Sequence, residues 1–303
     1  NNRNTYLDFV NKYLPKDVLN SIDVNDASKF FWNYNKGNHF VIFAESDGKY
    51  GLEEGQYMIV HASAIELKKD NLKYGLYPVK CNWFYDDIKK EYDDEHKRYI
   101  RYITGEKAKK FYDIATYLKE FNKIRNKYFC QIVLGDLMEK ELINISHYGM
   151  PTINSVCIGC QWEQLDYTLL TAPGNDVFLV HPEINPNNKN YINLHGKNII
   201  LTPHGCGVRM NNPEDIIEYF DGGLRIGDNV YKIDESVNIG VDVSVRTKNM
   251  INEELDNHIN NILSKCPGEI YGRLSQKFAR TKYGDFNYKE EYENANNNIY
   301  KTR

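Results

Sequence analysis

The sequence predicts an α+β protein with an antiparallel, jelly-roll-like β-sandwich core, peripheral helices and extended arms at both ends. Short alternating apolar runs bounded by turn residues recur along the middle of the chain, helical patterns are few, and both ends are polar. We expect an N-terminal helical arm over 1–38, a strand-rich core over 39–248, and a C-terminal helix with a polar arm over 249–303.

The strands are predicted from alternation and the first helix from spacing. Apolar residues of 5–14 recur at helical intervals and stop before Pro15, which indicates a short amphipathic helix that we interpret as an arm. The predicted strands share period-two alternation or short apolar runs. They lie at 40–43, 56–61, 77–81, 129–134, 141–146, 153–158, 176–181, 191–194, 199–202, 231–233 and 237–245.

Helices are also predicted inside and after the core. Residues 86–125 are dense in charge and then in helix-forming side chains, which favours two helices. A further helix over 213–221 has Asn212 as its cap, Pro213 at its first position and a glycine pair as its stop. Another helix follows from 249 to about 265, and we expect the polar tail from Arg280 onward to be disordered in isolation.

Composition excludes two classes of protein. The 303 residues carry 38 Lys and Arg against 42 Asp and Glu, a net charge of −4, whereas nucleic-acid binders usually have a basic excess. No apolar run approaches the ~18–20 residues of a membrane helix. The polar opening at 1–4, without methionine or signal segment, predicts a trimmed start. The 24 Tyr are unusually many.

One cysteine motif invites a metal or redox hypothesis. Cys157 and Cys160 form a single CxxC, and His204 with Cys206 would supply two more zinc ligands. A second CxxC, which would make the pattern specific, does not occur. Buried or cross-linking cysteines are therefore the preferred interpretation, and we expect no metal and no cofactor.

Three histidines end apolar runs and precede Pro or Gly: His181, His195 and His204. A Cys–His hydrolase would pair one of them with Cys157, Cys160 or Cys206. No nucleophile signature of a known hydrolase class accompanies them. Histidines held by turn backbone at strand ends are the preferred interpretation, and a Cys–His hydrolase remains the alternative.

Several sequence blocks resemble one family. They include KFYDIATYLKEF at 110–121, CIGCQWEQLDYTLLTAPGNDVFLVHPEINPNNKNYINL at 157–194, HGCGVRMNN at 204–212 and RIGDNVYKIDESVNIGVDVSV at 225–245, together with the block at 41–80. In order and spacing these are similar to the baculovirus polyhedrin and granulin family, the matrix proteins of viral occlusion bodies. The resemblance covers about two thirds of the chain.

The resemblance implies a structural protein without catalytic residues. Such a protein crystallises with copies of itself around virions, in occlusion bodies of the host nucleus, and dissolves in the alkaline insect gut. It has neither nucleic acid nor membrane as a partner. Near-balanced charge suits dense packing, and phenols, lysines and thiols that titrate near pH ~10, ~10.4 and ~8.5 would supply the alkaline trigger. The matching turn makes Cys206 the first candidate for an intermolecular disulfide, and Cys266, near a predicted helix end, the second.

Overall fold

The computed structural model describes residues 2–19, 32, 34, 39–62, 87–95, 98–146, 148–158, 160–171, 174–203, 208–209, 217–220, 223–226, 229–232, 245–246, 252–281 and 284–288. The chain divides into two compact units, each built from three segments. The first unit comprises 1–31, 64–118 and 208–246, and the second comprises 32–63, 119–207 and 247–303. The two arms and the core predicted from the sequence are consecutive stretches of the chain. Each of these units instead combines three segments that are separate in the sequence.

The described elements are helical and antiparallel β. The helices are α1 (Asn2–Tyr13), α2 (Lys16–Leu19), α3 (Gly105–Leu134) and α4 (Asn252–Leu263), with short 3-10 turns at Lys49–Gly51 and Gly135–Leu137. The first strands are β1 (Phe40–Ser46), β2 (Gly55–His61), β3 (Lys89–Asp93), β4 (Arg98–Tyr102), β5 (Tyr148–Thr152), β6 (Ser155–Ile158), β7 (Cys160–Gln161), β8 (Tyr167–Leu169), β9 (Val177–Pro182) and β10 (Tyr191–Leu194). The others are β11 (Lys197–Ile200), β12 (Thr202–Pro203), β13 (Val208–Arg209), β14 (Ile217–Phe220), β15 (Gly223–Ile226), β16 (Asn229–Lys232), β17 (Val245–Arg246), β18 (Gly268–Thr281) and β19 (Gly284–Asn287). The predicted α+β class with an antiparallel sheet core is confirmed.

Helix α1 of the first unit confirms the predicted helix but is not an exposed arm. Its residues Tyr6 and Val10 are fully buried, and Phe9 is nearly so. The helical spacing therefore reflects a packed face, because each large apolar side chain removed from water contributes about 1.5–3 kcal/mol.

A β-hairpin, β3–β4, replaces the first of the two helices predicted over 86–125, so that prediction is wrong. Tyr92 lies opposite Tyr99, with ring centroids 5.0 Å apart, and the Lys90 ammonium is 4.1 Å from the Tyr99 ring centroid. The Asp93 carboxylate accepts the Glu95 amide at 3.1 Å and closes the turn. Cross-strand aromatic and charge pairs thus favour a hairpin over the helix that charge density suggested.

Helix α3 contains the second predicted helix and continues to Leu134. The predicted strand at 129–134 is therefore wrong, because a short apolar run fits either a strand or a buried helix turn. The helix contributes residues 105–118 to the first unit and 119–134 to the second.

The helix predicted at 213–221 is also corrected. Residues 217–220 form strand β14, which pairs with β15, and β15 pairs with β16. An Asp-Gly dipeptide at 221–222 between two apolar runs is a strong hairpin signal, which the prediction interpreted as a helix stop. Residues 213–216 and the predicted strand at 77–81 lie outside the described residues. The strand predicted at 141–146 is irregular backbone.

The second unit is organised around a six-stranded antiparallel sheet in the order β2-β1-β18-β9-β8, with β19 paired to β18. Strand β18 pairs with β9 through its first half and with β1 through its second half. The predicted C-terminal helix is confirmed as α4. Within the predicted polar arm, residues 268–281 instead provide the central strand of this sheet, and the part of the arm at 289–303 lies outside the described residues.

Both faces of the sheet carry an apolar cluster. Val177 and Leu179 of β9 join one apolar cluster with Leu274, while the alternate residues Phe178 and Val180 join another. Helix α4 packs on the second cluster, to which it contributes Leu255 and Ile259. Because alternate residues of β9 belong to the two clusters, its sequence is a continuous apolar run. Helix α4 forms the layer over the face that carries the second cluster.

Ion pairs fix the second half of α3 in the same unit. The Glu163 carboxylate, just after β7, accepts from Lys119 at 3.1 Å and from Lys123 at 3.0 Å. Burial raises the pKa of Glu163, but the two ammonium groups outweigh it and leave that pKa lowered. The carboxylate is therefore charged at neutral pH and holds the helix against the loop after β7.

Candidate functional site

The structure places the sequence-predicted site residues in three separate locations. Cys157 and Cys160 lie together on β6 and β7, His181 lies on β9, and His195 lies in the β10–β11 turn. Cys266 follows α4 as a half-buried free thiol, and burial raises its pKa. The remaining predicted residues, His204 and Cys206, lie outside the described residues, so the roles suggested for them remain predictions.

His181 is part of an aspartate–histidine–tyrosine cluster. Its Nδ1 lies 2.6 Å from Oδ1 of Asp166, and its ring stacks on Tyr271 with centroids 3.9 Å apart and planes 12° apart. The Tyr271 hydroxyl donates to the same carboxylate, and burial together with Asp166 raises its pKa to about 12. One carboxylate therefore holds both an imidazole and a phenol.

Strand register explains how these three side chains meet. The β8–β9 pairing sets Tyr167 opposite Val180, which brings the next residues outward, Asp166 and His181, next to each other. The β9–β18 register shifts between Ile270 and Gly272, so Tyr271 is the extra residue of a β-bulge. A bulge re-aims a side chain, and this one accompanies the stacking of the Tyr271 ring on the imidazole.

The cluster contains the carboxylate and the imidazole of an acid–base site, in which the carboxylate orients the imidazole. A carboxylate on Nδ1 fixes the tautomer and direction of an imidazole, which leaves Nε2 for proton transfer. Within the described part of the chain, the hydrogen-bond partner of this imidazole is Asp166, and no thiol joins it. The described residues thus bring His181 to a carboxylate and not to any of the cysteines of the hydrolase hypothesis.

The CxxC thiols lie in an apolar environment. Cys157 is buried with Trp162 and Ile199, and half-buried Cys160 packs on the same cluster. Burial, followed by the neighbouring Cys160, raises the pKa of Cys157 to about 12. A thiol so protonated at neutral pH is a poor nucleophile, which weakens the hydrolase interpretation for Cys157.

His195 occupies a turn. It has a left-handed φ of 50° and is exposed, next to Gly196 with φ 87°. The Asn193 side chain accepts the Gly196 amide at 3.0 Å and closes this hairpin. The position matches the expectation of a histidine at a strand-end turn.

A groove of about 870 Å³ in the second unit runs along β2, between the end of α3 and the segment 138–145. Ion pairs lie on its lining, with Lys140 and Glu53 at 2.8 Å and Lys127 and Glu141 at 3.2 Å. Cys130 also lines it, and burial and Glu141 raise the pKa of this thiol to about 11. Paired charges and a protonated thiol give the groove no activated nucleophile.

A strained tyrosine marks the loop between β1 and β2. Tyr50 has φ 67°, which costs about 1–2 kcal/mol for a residue with a Cβ. Its hydroxyl is hydrogen-bonded to Arg273, whose Nε donates to Asp176. This contact stabilises the loop conformation. It contains a phenol, a guanidinium and a carboxylate, and none of these is a nucleophile with an adjacent base.

Two further absences concern the described residues alone. No group of three His, Cys, Asp or Glu side chains among them is arranged to hold a metal ion. No described helix has the length and apolar character needed to cross a membrane.

The fold and this cluster define an α+β protein with an antiparallel sheet core and a carboxylate-bound histidine at one end of strand β9. Comparisons with protein families, with curated proteins and with solved structures gave no significant match for this chain. The resemblance to polyhedrins and granulins therefore depends on the sequence blocks described above.

Sequence reasoning missed Asp166 and Tyr271. The signal for Asp166 was available, because two apolar runs at 167–170 and 177–180 with a Pro-Gly turn between them predict a hairpin, and counting outward pairs Asp166 with His181. No sequence signal places Tyr271, because it depends on a bulge in a strand about 90 residues further along the chain.

Proposed function

We propose that this protein is a structural, self-assembling matrix protein of viral occlusion bodies, which packs against copies of itself around virions and is released by alkali. What carries the proposal is exposed apolar surface gathered in two places. In the first unit, the hairpin patch consists of Tyr92 and Tyr99 on one face of the β3–β4 hairpin and Ile100 and Tyr102 on the other, each at least 36% exposed. In the second, the helix-end patch consists of Ile132, Val133, Leu137 and Leu142, with Leu137 82% exposed.

Exposed apolar side chains grouped in this way are typical of protein–protein contacts. We assign the contact to a second copy because the chain is near-neutral overall, with 38 basic and 42 acidic residues, and the hairpin patch intersperses both signs. Charges so balanced allow a surface to approach its own copy without strong repulsion.

The alkaline trigger is supported by the chemistry of the hairpin patch. The Tyr102 hydroxyl donates to the Glu91 carboxylate at 3.1 Å, and this hydrogen bond raises the pKa of Tyr102. Once the phenol ionises, the hydrogen bond becomes a repulsion between two anions. A contact formed through such a surface would weaken at alkaline pH.

The test is sedimentation and light scattering of the purified protein at pH 7 and above pH ~10. We expect large particles at neutral pH that dissolve in alkali and re-form on return to pH 7. A discrete monomer or dimer at pH 7, or particles indifferent to alkali, would overturn the proposal.

Matched variants locate the contact. Ile100→Asp and Leu137→Asp place a charge in each patch, and we expect each to slow or abolish particle formation. Tyr117→Asp is the control, since Tyr117 is 49% exposed but belongs to neither patch. Circular dichroism would check that all three variants keep the secondary structure of the wild type. Equal particle formation by all three variants would exclude both patches as contact surfaces.

The Cys–His hydrolase alternative has weaker support. Among the described residues, Cys157 is protonated and lies with Cys160, and His181 is held by Asp166. Hydrolysis of ester or peptide substrates that is lost in Cys206→Ser would favour the alternative over the matrix protein.

A further inference from the structure

The CxxC segment places two thiols in one apolar cluster. Cys157 lies near the end of β6, Cys160 begins β7, and both pack with Trp162 and Ile199. After burial, Cys160 is the next cause of the raised pKa of Cys157, which agrees with this neighbouring position. Two neighbouring thiols in one cluster can reach the short distance of a disulfide bond by side-chain rotation.

The two thiols are not equivalent in access. Cys157 is only 7% exposed, whereas Cys160 is half-buried and lies nearer to solvent. The raised pKa of Cys157 keeps it protonated and unreactive toward a reagent in solution. An external disulfide therefore meets Cys160 first, and Cys157 is placed to act second.

We propose that Cys157 and Cys160 form a reversible dithiol–disulfide couple that exchanges with low-molecular-weight disulfides such as oxidised glutathione. Cys160, as thiolate, attacks one sulfur of the glutathione disulfide, so that a mixed disulfide forms and one glutathione thiolate leaves. Cys157 loses its proton and attacks the Cys160 sulfur, the internal disulfide forms, and the second glutathione thiolate leaves. The protein loses two electrons and two protons, and one oxidised glutathione becomes two reduced glutathiones.

Two other cysteines provide internal references. Cys130 on α3 and Cys266 after α4 are free thiols located away from the CxxC cluster. Among the described cysteines, neither has a neighbouring thiol to resolve a mixed disulfide. Of these four cysteines, we therefore expect only the CxxC pair to form an internal disulfide by this exchange, which does not depend on whether the protein assembles into particles.

The test equilibrates the full chain with reduced and oxidised glutathione at several ratios, traps free thiols with a maleimide in acid, and maps peptides by mass spectrometry. In the wild type we expect the peptide with both cysteines to lose the mass of two hydrogens. Addition of dithiothreitol should restore that mass. Cys130→Ser is the matched control and should give the same result.

Single variants separate the two roles. Cys157→Ser should accumulate one glutathionyl group on Cys160, because the resolving thiol is gone, whereas Cys160→Ser should leave Cys157 largely unmodified. Cys157→Ala, which keeps the buried site apolar, replaces the serine variant if that one does not fold.

Three results would overturn the proposal. One is the absence of the internal disulfide in the wild type at every glutathione ratio. Another is equal glutathionylation of the two single variants, that is, modification of Cys157 in Cys160→Ser as readily as of Cys160 in Cys157→Ser. The third is reaction of these thiols only after a chelator has removed a bound metal, which would assign the pair to metal binding.

Discussion

Two tyrosine–carboxylate pairs in this molecule share one chemistry and differ in burial. In the β3–β4 hairpin, Tyr102 donates to Glu91 at the surface. In the sheet of the second unit, Tyr271 donates to Asp166 beneath the His181 ring. The carboxylate is the largest cause of the raised pKa at Tyr102, whereas burial is the largest cause at Tyr271.

The difference separates surface chemistry from fold stability. Water and salt screen an exposed pair, so its ionisation changes surface charge and leaves the folded state nearly unaffected. A half-buried phenol couples its ionisation to unfolding, because the unfolded chain ionises at lower pH than the folded chain. In the proposed assembly, alkali would therefore act on contacts between molecules before it unfolds each molecule.

The largest expected effect comes from a break in the strand pairing that positions the half-buried pair. A Cβ at Gly268 would lie 2.7 Å from the His181 carbonyl oxygen and 2.7 Å from Cγ1 of Val180. We expect Gly268→Ala to destabilise the second unit by about 1–3 kcal/mol, as overpacked cores do. Urea unfolding measures this. Gly55→Ala is the control, since its Cβ comes no closer than 4.0 Å to the Tyr57 ring, and equal stability of the two variants would contradict the prediction.

A smaller effect is expected from Tyr271→Phe, which removes the hydroxyl of a half-buried side chain. At pH 7 the loss of one hydrogen bond should cost about 1 kcal/mol. The pKa of Tyr271 is raised to about 12 in the folded state, so its stabilisation is complete below the ordinary phenol pKa of ~10 and is lost as the pH rises toward 12. We expect the gap of about 1 kcal/mol between wild type and variant to close over this window. Parallel curves of unfolding free energy against pH would show that this phenol is not coupled to folding.

The smallest effect is expected from Tyr102→Phe. Because the Tyr102–Glu91 pair is exposed, we expect the unfolding free energy to match the wild type at pH 7 and through the same alkaline window. The same urea titrations measure it. A change as large as that of Tyr271→Phe would mean that the hairpin pair is protected from solvent and that the comparison between the two pairs fails.

The fold class and many strands could be predicted from the sequence, because alternation survives wherever one face of a strand is buried. Strands β1, β2 and β9 lie close to their predicted positions, at 40–43, 56–61 and 176–181. The apolar run at 129–134 was wrongly assigned because its six residues fit both periods, and only packing within α3 decides between them. The charged run that forms β3 and β4 was wrongly assigned to a helix. Its Tyr92 and Tyr99 pair across the two strands, and this contact favours a hairpin.

The candidate site was predictable in part. His181 stood out at the end of an apolar run, and the CxxC stood out as a motif. The partner of His181 depends on strand register, and the tyrosine stacked on it depends on a β-bulge. That register follows from the hairpin signal at 167–180, whereas the bulge is a product of tertiary structure, of which composition and local spacing carry no record.

The double pairing of β18 sets an order of events during synthesis. This strand lies between β1 and β9 and leaves the ribosome after both of them. Until residues 268–281 emerge, β1 and β9 each have an unpaired edge, and such edges are prone to pair with other chains. Closure of the sheet joins residues more than 200 positions apart, so folding of this unit depends on contacts that are slow to form. A nascent chain stalled before residue 268 would expose those edges to neighbouring chains, and chaperone binding at that stage would protect it from misassembly.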